Sequence, residues 1–162
     1  MRLILVVLLS FITTIRAECG YNACHKTDPT KLNIHLIPHS HDDVGWLRTP
    51  DNYYIQQVRE IITNVVKSLQ LSPDRRFTQV ESYYFHRWWS EQNEDVKNVF
   101  RKLVTSGQLI FINGGWTVND EGAAHYNNII DQMTYGLRFL DEEFGKCGHP
   151  KVGMIFVLII SE

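Results

Sequence analysis

A regular alternation of short apolar runs with longer amphipathic segments most constrains the fold of this chain. Runs rich in β-branched and aromatic residues predict strands at 33–41, 76–85, 108–116 and 151–160. Between these runs, apolar residues recur at helical spacing, which predicts helices over about 53–71, 88–104 and 127–144. The order β-α-β-α-β-α-β predicts an α/β fold with a parallel sheet of right-handed βαβ units.

Polar residues or glycines stand at the ends of three of these predicted strands. The first strand runs into the polar stretch 39–43, and the third ends in Gly114-Gly115. Parallel sheets and α/β barrels place their functional sites at the carboxyl ends of the strands. We therefore expect the functional side chains to collect at that edge.

The first 17 residues have the order of regions that is typical of a secretory signal peptide. Arg2 precedes an apolar run over 3–15, and the small residue Ala17 offers a cleavage site. The run is shorter than the roughly 20 residues of a membrane span. The sequence predicts cleavage after Ala17 and no membrane span in the mature chain, with a retained signal anchor as the alternative.

Composition indicates one ordinary globular domain that enters an oxidising compartment. The formal net charge is −2 and the sequence contains no basic run, so it does not predict a positively charged surface that would bind nucleic acid or an anionic membrane. The three cysteines, Cys19, Cys24 and Cys147, are an odd number, so one is unpaired or pairs outside these residues. Cys19 and Cys24 could bridge each other, or Cys24 could pair elsewhere.

The stretch HSHDDVGW, which begins at His39, concentrates side chains that could bind a metal or a ligand: two histidines, two aspartates and a tryptophan. If the strand persists through it, alternate residues face the same way, so His39, His41 and Asp43 share one side. Ser40 and Asp42 then face the other side. A nitrogen of His41 and an oxygen of Asp43 could bind one divalent ion, and this mixed donor set suits zinc.

Two further features affect the interpretation of this stretch. Gly45 allows a close backbone turn, and Trp46 offers a flat apolar face against which a sugar ring could lie. A histidine and an aspartate two positions apart are nevertheless more often solvated than metal-bound, and two ligands complete no zinc site. Other histidines are isolated and are predicted to be surface or hydrogen-bonded residues: His86, His125 and His149.

The segment NIHLIPHSHDDVGWLRTPDNYY closely resembles the beginning of the catalytic domain in class II alpha-mannosidases, glycoside hydrolase family 38, and in particular the lysosomal branch. The resemblance continues through DRRFTQVESYYFHRWW, GQLIFINGGWTVNDEGAAHYNNIIDQMTYGLRFLDEEFG and HPKVG. It covers nearly all residues from Cys19 to Gly153. Several blocks in the right order are far more specific than one motif.

The resemblance implies zinc-dependent, retaining hydrolysis of terminal alpha-mannosides of glycoproteins, on the secretory and lysosomal route. It implies a seven-stranded α/β barrel, of which this chain would supply the first four βα units, an incomplete barrel. His41 and Asp43 match two zinc ligands of the family, and Trp46 matches its sugar-packing tryptophan. The metal there holds two vicinal mannose hydroxyls and orients the ring.

Neighbouring residues receive lesser roles from the same resemblance. His39 and Asp42 lie beside the two ligands and are interpreted as orienting them. Asn119 and Asp120, at a strand-to-helix turn on the same edge, are predicted to cap the following helix rather than to act in catalysis. Cys24 would pair with a distant cysteine that these 162 residues do not include.

The resemblance ends after Gly153, where the family continues into an Asp-Pro-Phe-Gly-His-Ser block whose aspartate is nucleophile and third zinc ligand. Here the sequence reads MIFVLIISE, and counting along the family pattern places Val157 at the nucleophile. Retention requires two carboxylates about 5 Å apart, one as nucleophile and one as acid and base. We therefore assign no catalytic residue, expect the zinc site to be incomplete, and expect these residues alone to be inactive.

The sequence thus divides into a signal peptide (1–17), the N-terminal part of a mannosidase barrel (18–153) and a departing apolar tail (154–162). The tail matches either a buried strand or an aggregating segment. The leading hypothesis is an alpha-mannosidase-type hydrolase that binds zinc and mannose-containing glycans. The alternatives are a non-catalytic secreted product of an aberrant transcript, and a zinc-dependent sugar deacetylase, against which Trp46 argues.

Overall fold

The computed structural model describes residues 19–23, 26–120, 122 and 125–154. The predicted signal peptide and residues 155–162 of the predicted tail therefore lie outside the described residues. The described sheet consists of two parallel strands, β1 (Phe77–Gln79) and β2 (Leu109–Phe111), which pair in register from Phe77 opposite Leu109. This pairing confirms parallel neighbours for the second and third predicted strands.

Other parts of the chain lie alongside the two strands. On one side, His39 bridges Thr78 in parallel, and the Thr78 amide donates to the Pro38 carbonyl at 2.8 Å. On the other side, the Asn113 amide donates to the Val152 carbonyl at 2.9 Å. Residues 38–39 of the first predicted strand thus lie beside β1, and Val152 of the fourth lies beside the segment that follows β2, although neither forms a regular strand within the described residues.

The prediction of a full strand over 33–41 is wrong. Residues 31–39 are all exposed, and only the bridge at His39 joins this segment to the sheet. The apolar side chains of the run do not pack into the described core, with Ile34, Leu36 and Ile37 between 50% and 86% exposed. Without such packing, backbone pairing alone does not extend a strand.

The predicted strand over 76–85 is also too long, because its second half is helical. Strand β1 ends at Gln79, and helix α3 begins three residues later (Ser82–Glu91). Tyr84 and Phe85 are followed at four-residue spacing by Trp88 and Trp89, and all four side chains are buried. Aromatic residues favour strands, but this spacing places both pairs on one helical face, and burial there outweighs the propensity.

The remaining elements agree with the predicted helices, with shifted bounds. The first runs through α1 (Pro50–Tyr53), a π-helical turn (Tyr54–Val58) and α2 (Arg59–Gln70). The predicted helix over 88–104 is two helices, α3 and α4 (Glu94–Thr105), because Asn93 is extended and caps the Val96 amide. The last helix is α5 (Tyr126–Phe144). None of the helices in the described segments is both long and apolar enough to cross a membrane.

The core is aromatic and is centred on α3. The Phe85 ring packs against the rings of Phe100, Phe111 and Phe139, with centroid distances of 4.7, 5.5 and 5.6 Å. These partners come from α4, β2 and α5, so one side chain joins three elements. The packing places α3 and α5 around the strands and fixes the loops that follow β1 and β2.

A disulfide ties the beginning of the described chain to its end. Cys19 bonds to Cys147, across 128 residues of sequence. The possibility of a Cys19–Cys24 bridge is therefore wrong, since Cys19 is already paired. Cys24 itself lies outside the described residues. A disulfide suits the oxidising compartment that the N-terminal sequence predicts.

Helix α5 approaches the segment after β2 so closely that Gly136 has no room for a side chain. A Cβ atom at this position would lie 2.0 Å from the Gly114 carbonyl oxygen and 2.7 Å from the Trp116 amide nitrogen. Both neighbours are backbone atoms, so relief requires a shift of the helix or of the loop. The contact therefore sets the distance between α5 and the loop that leads to the site.

We expect Gly136→Ala to destabilise the chain by about 1–3 kcal/mol, although alanine is the better helix former, because the added methyl group overpacks this contact. The measurement is urea unfolding followed by circular dichroism. Asn128→Ala is the control, because Asn128 is exposed on the same helix. A stability of Gly136→Ala equal to or above that of the parent chain would contradict the close approach.

Candidate functional site

A cavity of about 470 Å³ opens at the carboxyl ends of the two strands. This is the edge at which the sequence predicted the functional residues to collect. Its lining comes from the loop after the first extended segment, from the residue that precedes α3 and from the loop after β2: His41, Asp43, Val44, Gly45, Trp46, Glu81, Thr117, Val118, Asn119 and Asp120.

His41 and Asp43 lie together on the cavity wall. His41 Nε2 and Asp43 Oδ1 are 2.7 Å apart, and the side chains are 44% and 52% exposed. On the opposite side of the chain, the Ser40 hydroxyl donates to Asp42 Oδ2 at 2.7 Å. The predicted alternation of sides is confirmed for these two pairs. His39 contacts the Ile37 carbonyl through Nδ1 at 3.1 Å.

The backbone around Asp43 is held in place from two directions. The Tyr84 hydroxyl of α3 donates to the Asp43 carbonyl at 2.8 Å, and the Gly45 amide donates to the same carbonyl at 2.8 Å. Gly45 has a φ of 90°, a conformation that favours glycine. The turn that glycine permits brings Trp46 to the cavity, where its side chain remains 64% exposed. An exposed indole face is available to a ligand.

Two carboxyl groups lie buried behind the exposed pair. Asp42 is 9% exposed and Glu81 only 2% exposed. Burial raises the pKa of Asp42 above its ordinary value. Burial, together with the negative charge of Asp42, raises the pKa of Glu81 to about 8. One oxygen of Glu81, Oε2, has no hydrogen-bond partner among the described residues.

Sequence reasoning missed Glu81, because it interpreted the residue as part of a strand. Glu81 stands between β1 and α3, where the strand ends. An acidic residue inside an apolar run was the available signal, because a charged side chain in such a run is buried only at a functional or strongly constrained position.

The loop after β2 forms the second wall of the cavity, which corrects a prediction. Neither Asn119 nor Asp120 caps α5, whose N-cap is His125, with Nδ1 accepting from the Asn127 amide. Asp120 instead accepts from the Gly122 amide at 2.7 Å. The helix begins several residues after Asp120, so Asn119 and Asp120 do not cap it and instead line the cavity.

The isolated histidines occupy the ordinary positions that the sequence predicted for them. His125 caps α5, and His149 Nε2 lies 2.8 Å from Asp141 Oδ1 on the exposed surface. The exposed His86 packs beside the rings of Trp116 and Phe139. None of the three lines the cavity.

The described residues provide two of the four donor atoms that a zinc ion requires. Across the described segments, no group of three His, Cys, Asp or Glu side chains is placed to hold a metal ion. His41 and Asp43 offer one nitrogen and one oxygen donor that are close enough to share an ion. A four-coordinate site requires two further donors in addition to this pair.

Comparison with known proteins gives concordant matches. The family model described as glycosyl hydrolases family 38 N-terminal domain matches residues 31–156. Lysosomal alpha-mannosidase of Bos taurus is 48% identical over 154 residues, which cover 88% of this chain and 15% of the relative. That of Mus musculus is 50% identical over 141 residues, 82% of this chain and 14% of the relative.

A plant protein matches at a similar level. The alpha-mannosidase of Canavalia ensiformis is 48% identical over 141 residues, which cover 82% of this chain and 14% of the relative. The chain therefore spans about 15% of the length of the curated relatives that it matches. All of these alignments include the greater part of the described residues.

Proposed function

The chain belongs to glycosyl hydrolases family 38, and from this membership we propose that it supplies the first part of an alpha-mannosidase active site. The observation that carries the proposal is the pair His41 and Asp43, in contact at 2.7 Å on a cavity wall that also includes Trp46. A pair of side chains that could hold a metal ion, beside an aromatic face, suits a sugar, whose hydroxyls can bind the ion while its ring packs on the indole.

The cavity suits one sugar ring. Its volume of about 470 Å³ lies within the range of small-molecule sites. The exposed Trp46 indole offers an apolar surface for the ring carbons, while the carboxyl groups of Asp43 and Asp120 line the wall and can accept hydrogen bonds from hydroxyls. We propose mannose-containing glycans as the ligands, as the names of the relatives suggest.

His41 and Asp43 are the residues that would hold zinc. Bound there, the ion supplies charge that holds neighbouring sugar hydroxyls and orients the ring. Asp42 and Ser40 support the pair from the buried side of the turn, and the Tyr84 hydroxyl fixes the Asp43 carbonyl. These contacts restrict the turn so that the two donor atoms stay together.

Retaining hydrolysis further requires a carboxylate nucleophile and an acid/base carboxyl group. The resemblance places Val157 at the position of the nucleophile, and a valine side chain can neither attack carbon nor bind a cation. We therefore propose that the 162-residue polypeptide binds ligand without turnover. An aryl alpha-mannoside assay with added zinc tests this, and turnover that Asp43→Ala abolishes would contradict it.

We further propose that the described elements are the first βα units of the family's α/β barrel. The parallel pair β1 and β2, with extended segments on both sides, supports this arrangement. Entry into the secretory or lysosomal route is proposed from the names of the relatives, and the Cys19–Cys147 disulfide agrees with it.

Zinc binding by the 162-residue chain should be measurable but weak. Structural zinc sites with four ligands contribute about 10–16 kcal/mol, so two ligands should give roughly half, a Kd of about 1–200 μM. Competition with a chromophoric chelator measures this Kd. His41→Ala and Asp43→Ala should each weaken binding by at least about tenfold, because a single side chain remains.

The chain contains a matched control for this experiment. His149 and Asp141 form a second exposed pair, 2.8 Å apart, outside the cavity. Because this pair offers the same two donors, it can hold a second ion, so His149→Ala should at most lower the number of ions bound and should leave the affinity of the His41–Asp43 site unchanged. Equal losses for His41→Ala and His149→Ala would show generic histidine binding, and a submicromolar Kd would refute the view that further ligands are required.

A further inference from the structure

The side chain of Gln132, on α5, determines the orientation of the second cavity wall. Its Oε1 accepts from the Thr117 amide at 3.0 Å, so this end of the amide is the oxygen. Its Nε2 therefore faces Asn119 and donates to Asn119 Oδ1. A backbone amide can only donate, which makes the assignment of both side-chain amides unambiguous.

This network leaves the side-chain NH2 group of Asn119, with its two N–H donors, available. Because Oδ1 accepts from Gln132, the Nδ2 amide group must lie on the other side of the Asn119 side chain. No hydrogen bond from Nδ2 to any of the described residues is present, and Asn119 lines the cavity together with His41 and Trp46. The amide group of this half-buried, cavity-lining residue thus faces away from Gln132 and has no partner among the described residues.

The loop that carries Asn119 is also held at Trp116, three residues earlier. The Trp116 amide donates to the Gln132 carbonyl at 2.9 Å, and the Tyr83 amide of α3 donates to the Trp116 carbonyl at 2.9 Å. The close contact of Gly136 with Gly114 fixes α5 against the same loop. A donor positioned before the ligand arrives loses little entropy on binding.

We propose that Asn119 is a sugar-binding residue, whose Nδ2 donates a hydrogen bond to one hydroxyl oxygen of the monosaccharide that packs against Trp46. The inference rests on the proposed function and adds to it a specific contact on the wall opposite the metal-binding pair. Asp43 and Asp120 line the same cavity with carboxyl oxygens that accept hydrogen bonds. Asn119 complements these acceptors with a donor of fixed direction, so it selects the orientation of the ring.

The experiment is a cycle between protein variants and ligand variants. Methyl alpha-D-mannopyranoside and its monodeoxy analogues are titrated into the 162-residue chain with zinc present, and Kd is measured from chemical shifts in NMR spectra. Asn119→Ala should weaken binding of the parent mannoside about three- to tenfold, the usual effect of one hydrogen bond. With the deoxy analogue that lacks the contacted hydroxyl, Asn119→Ala should cause no further loss.

Two variants separate the contact from a structural role. Asn119→Asp retains an oxygen that accepts from Gln132, so the melting temperature of this variant should equal that of the parent chain. A changed order of affinities among the analogues would then report the loss of the Nδ2 donor. Gln132→Ala frees the Asn119 amide and should weaken the ligands that keep the contacted hydroxyl, but less than Asn119→Ala does. Equal losses of all analogues with Asn119→Ala would overturn the inference.

Failure of the inference can be told apart from failure of the proposed function. Trp46→Ala should weaken every ligand, whereas Leu47→Ala, which changes an exposed neighbour outside the cavity, should weaken none. Binding that depends on Trp46 but not on Asn119 would overturn the Asn119 contact alone. No mannoside binding by the parent chain would overturn both proposals.

Discussion

Replacing Cys19 and Cys147 by serine is expected to lower the free energy of unfolding by about 4–5 kcal/mol. The disulfide closes a loop of 128 residues, and a cross-link of that length restricts the unfolded chain strongly. Small domains are stable by only about 5–15 kcal/mol, so this loss would remove a large share of the total.

Native contacts at the bridge add to the entropic effect. The Tyr21 hydroxyl, two residues after Cys19, donates to the Phe111 carbonyl of β2 at 2.6 Å. A Cβ atom at Gly20 would lie 2.7 Å from the Cys147 carbonyl oxygen, so the two ends are in close contact. Without the bond, the N-terminal segment must retain these contacts through its own packing.

Urea unfolding of the double variant, followed by tryptophan fluorescence, measures the effect. Both proteins should carry Cys24→Ser, which prevents thiol exchange during unfolding. A decrease below about 1 kcal/mol would show that the bridge contributes little. A mass spectrum of the non-reduced parent protein that lacks the Cys19–Cys147 peptide pair would contradict the pairing itself.

The elements that sequence reasoning predicted best are those with local causes. Helix α5 (Tyr126–Phe144) agrees with the predicted 127–144 to within one residue, because the apolar spacing is regular and Gly145, with a φ of 54°, ends it. The pair His41 and Asp43 was likewise predictable, since two residues at alternate positions share a side whenever the chain is extended.

The second cavity wall depends on contacts that local patterns do not contain. Asn119 owes its orientation to Gln132, thirteen residues later, and Gln132 reaches it only because Gly136 allows α5 to approach the loop. The buried state of Glu81 depends in the same way on strand β1 ending at Gln79. Such tertiary causes override the propensities from which the strand over 76–85 was predicted.

The other large effect concerns Glu81, whose burial should make the stability of the metal-free chain depend on pH. Its pKa is about 8 in the folded chain, against an ordinary value of 4.5. Between these values the folded chain keeps a proton that the unfolded chain has released. The contribution of Glu81 to the free energy of unfolding is therefore largest below about pH 4.5, and it falls as the pH rises towards 8.

The expected slope is about 1.4 kcal/mol of unfolding free energy per pH unit, so that about 4 kcal/mol is lost between pH 5 and pH 8. Burial raises the pKa of Asp42 too, so it adds a slope of the same sign. Glu81→Gln keeps the shape of the side chain but cannot ionise. The Glu81→Gln variant should therefore lose the part of the pH dependence of the unfolding free energy that Glu81 causes. At pH 8 it should be more stable than the parent chain.

Urea unfolding at half-unit intervals from pH 5 to pH 8.5, in the presence of a chelator, measures both slopes. Glu142→Gln, at an exposed position on α5, is the matched control and should leave the slope unchanged. Burial raises the pKa of Glu81 more than hydrogen bonds to the backbone lower it, and Glu81 Oε2 has no hydrogen-bond partner among the described residues. Parallel pH profiles for the parent chain and Glu81→Gln would therefore show that Glu81 is solvated or paired in the folded protein, and that it does not lie buried behind the His41–Asp43 pair.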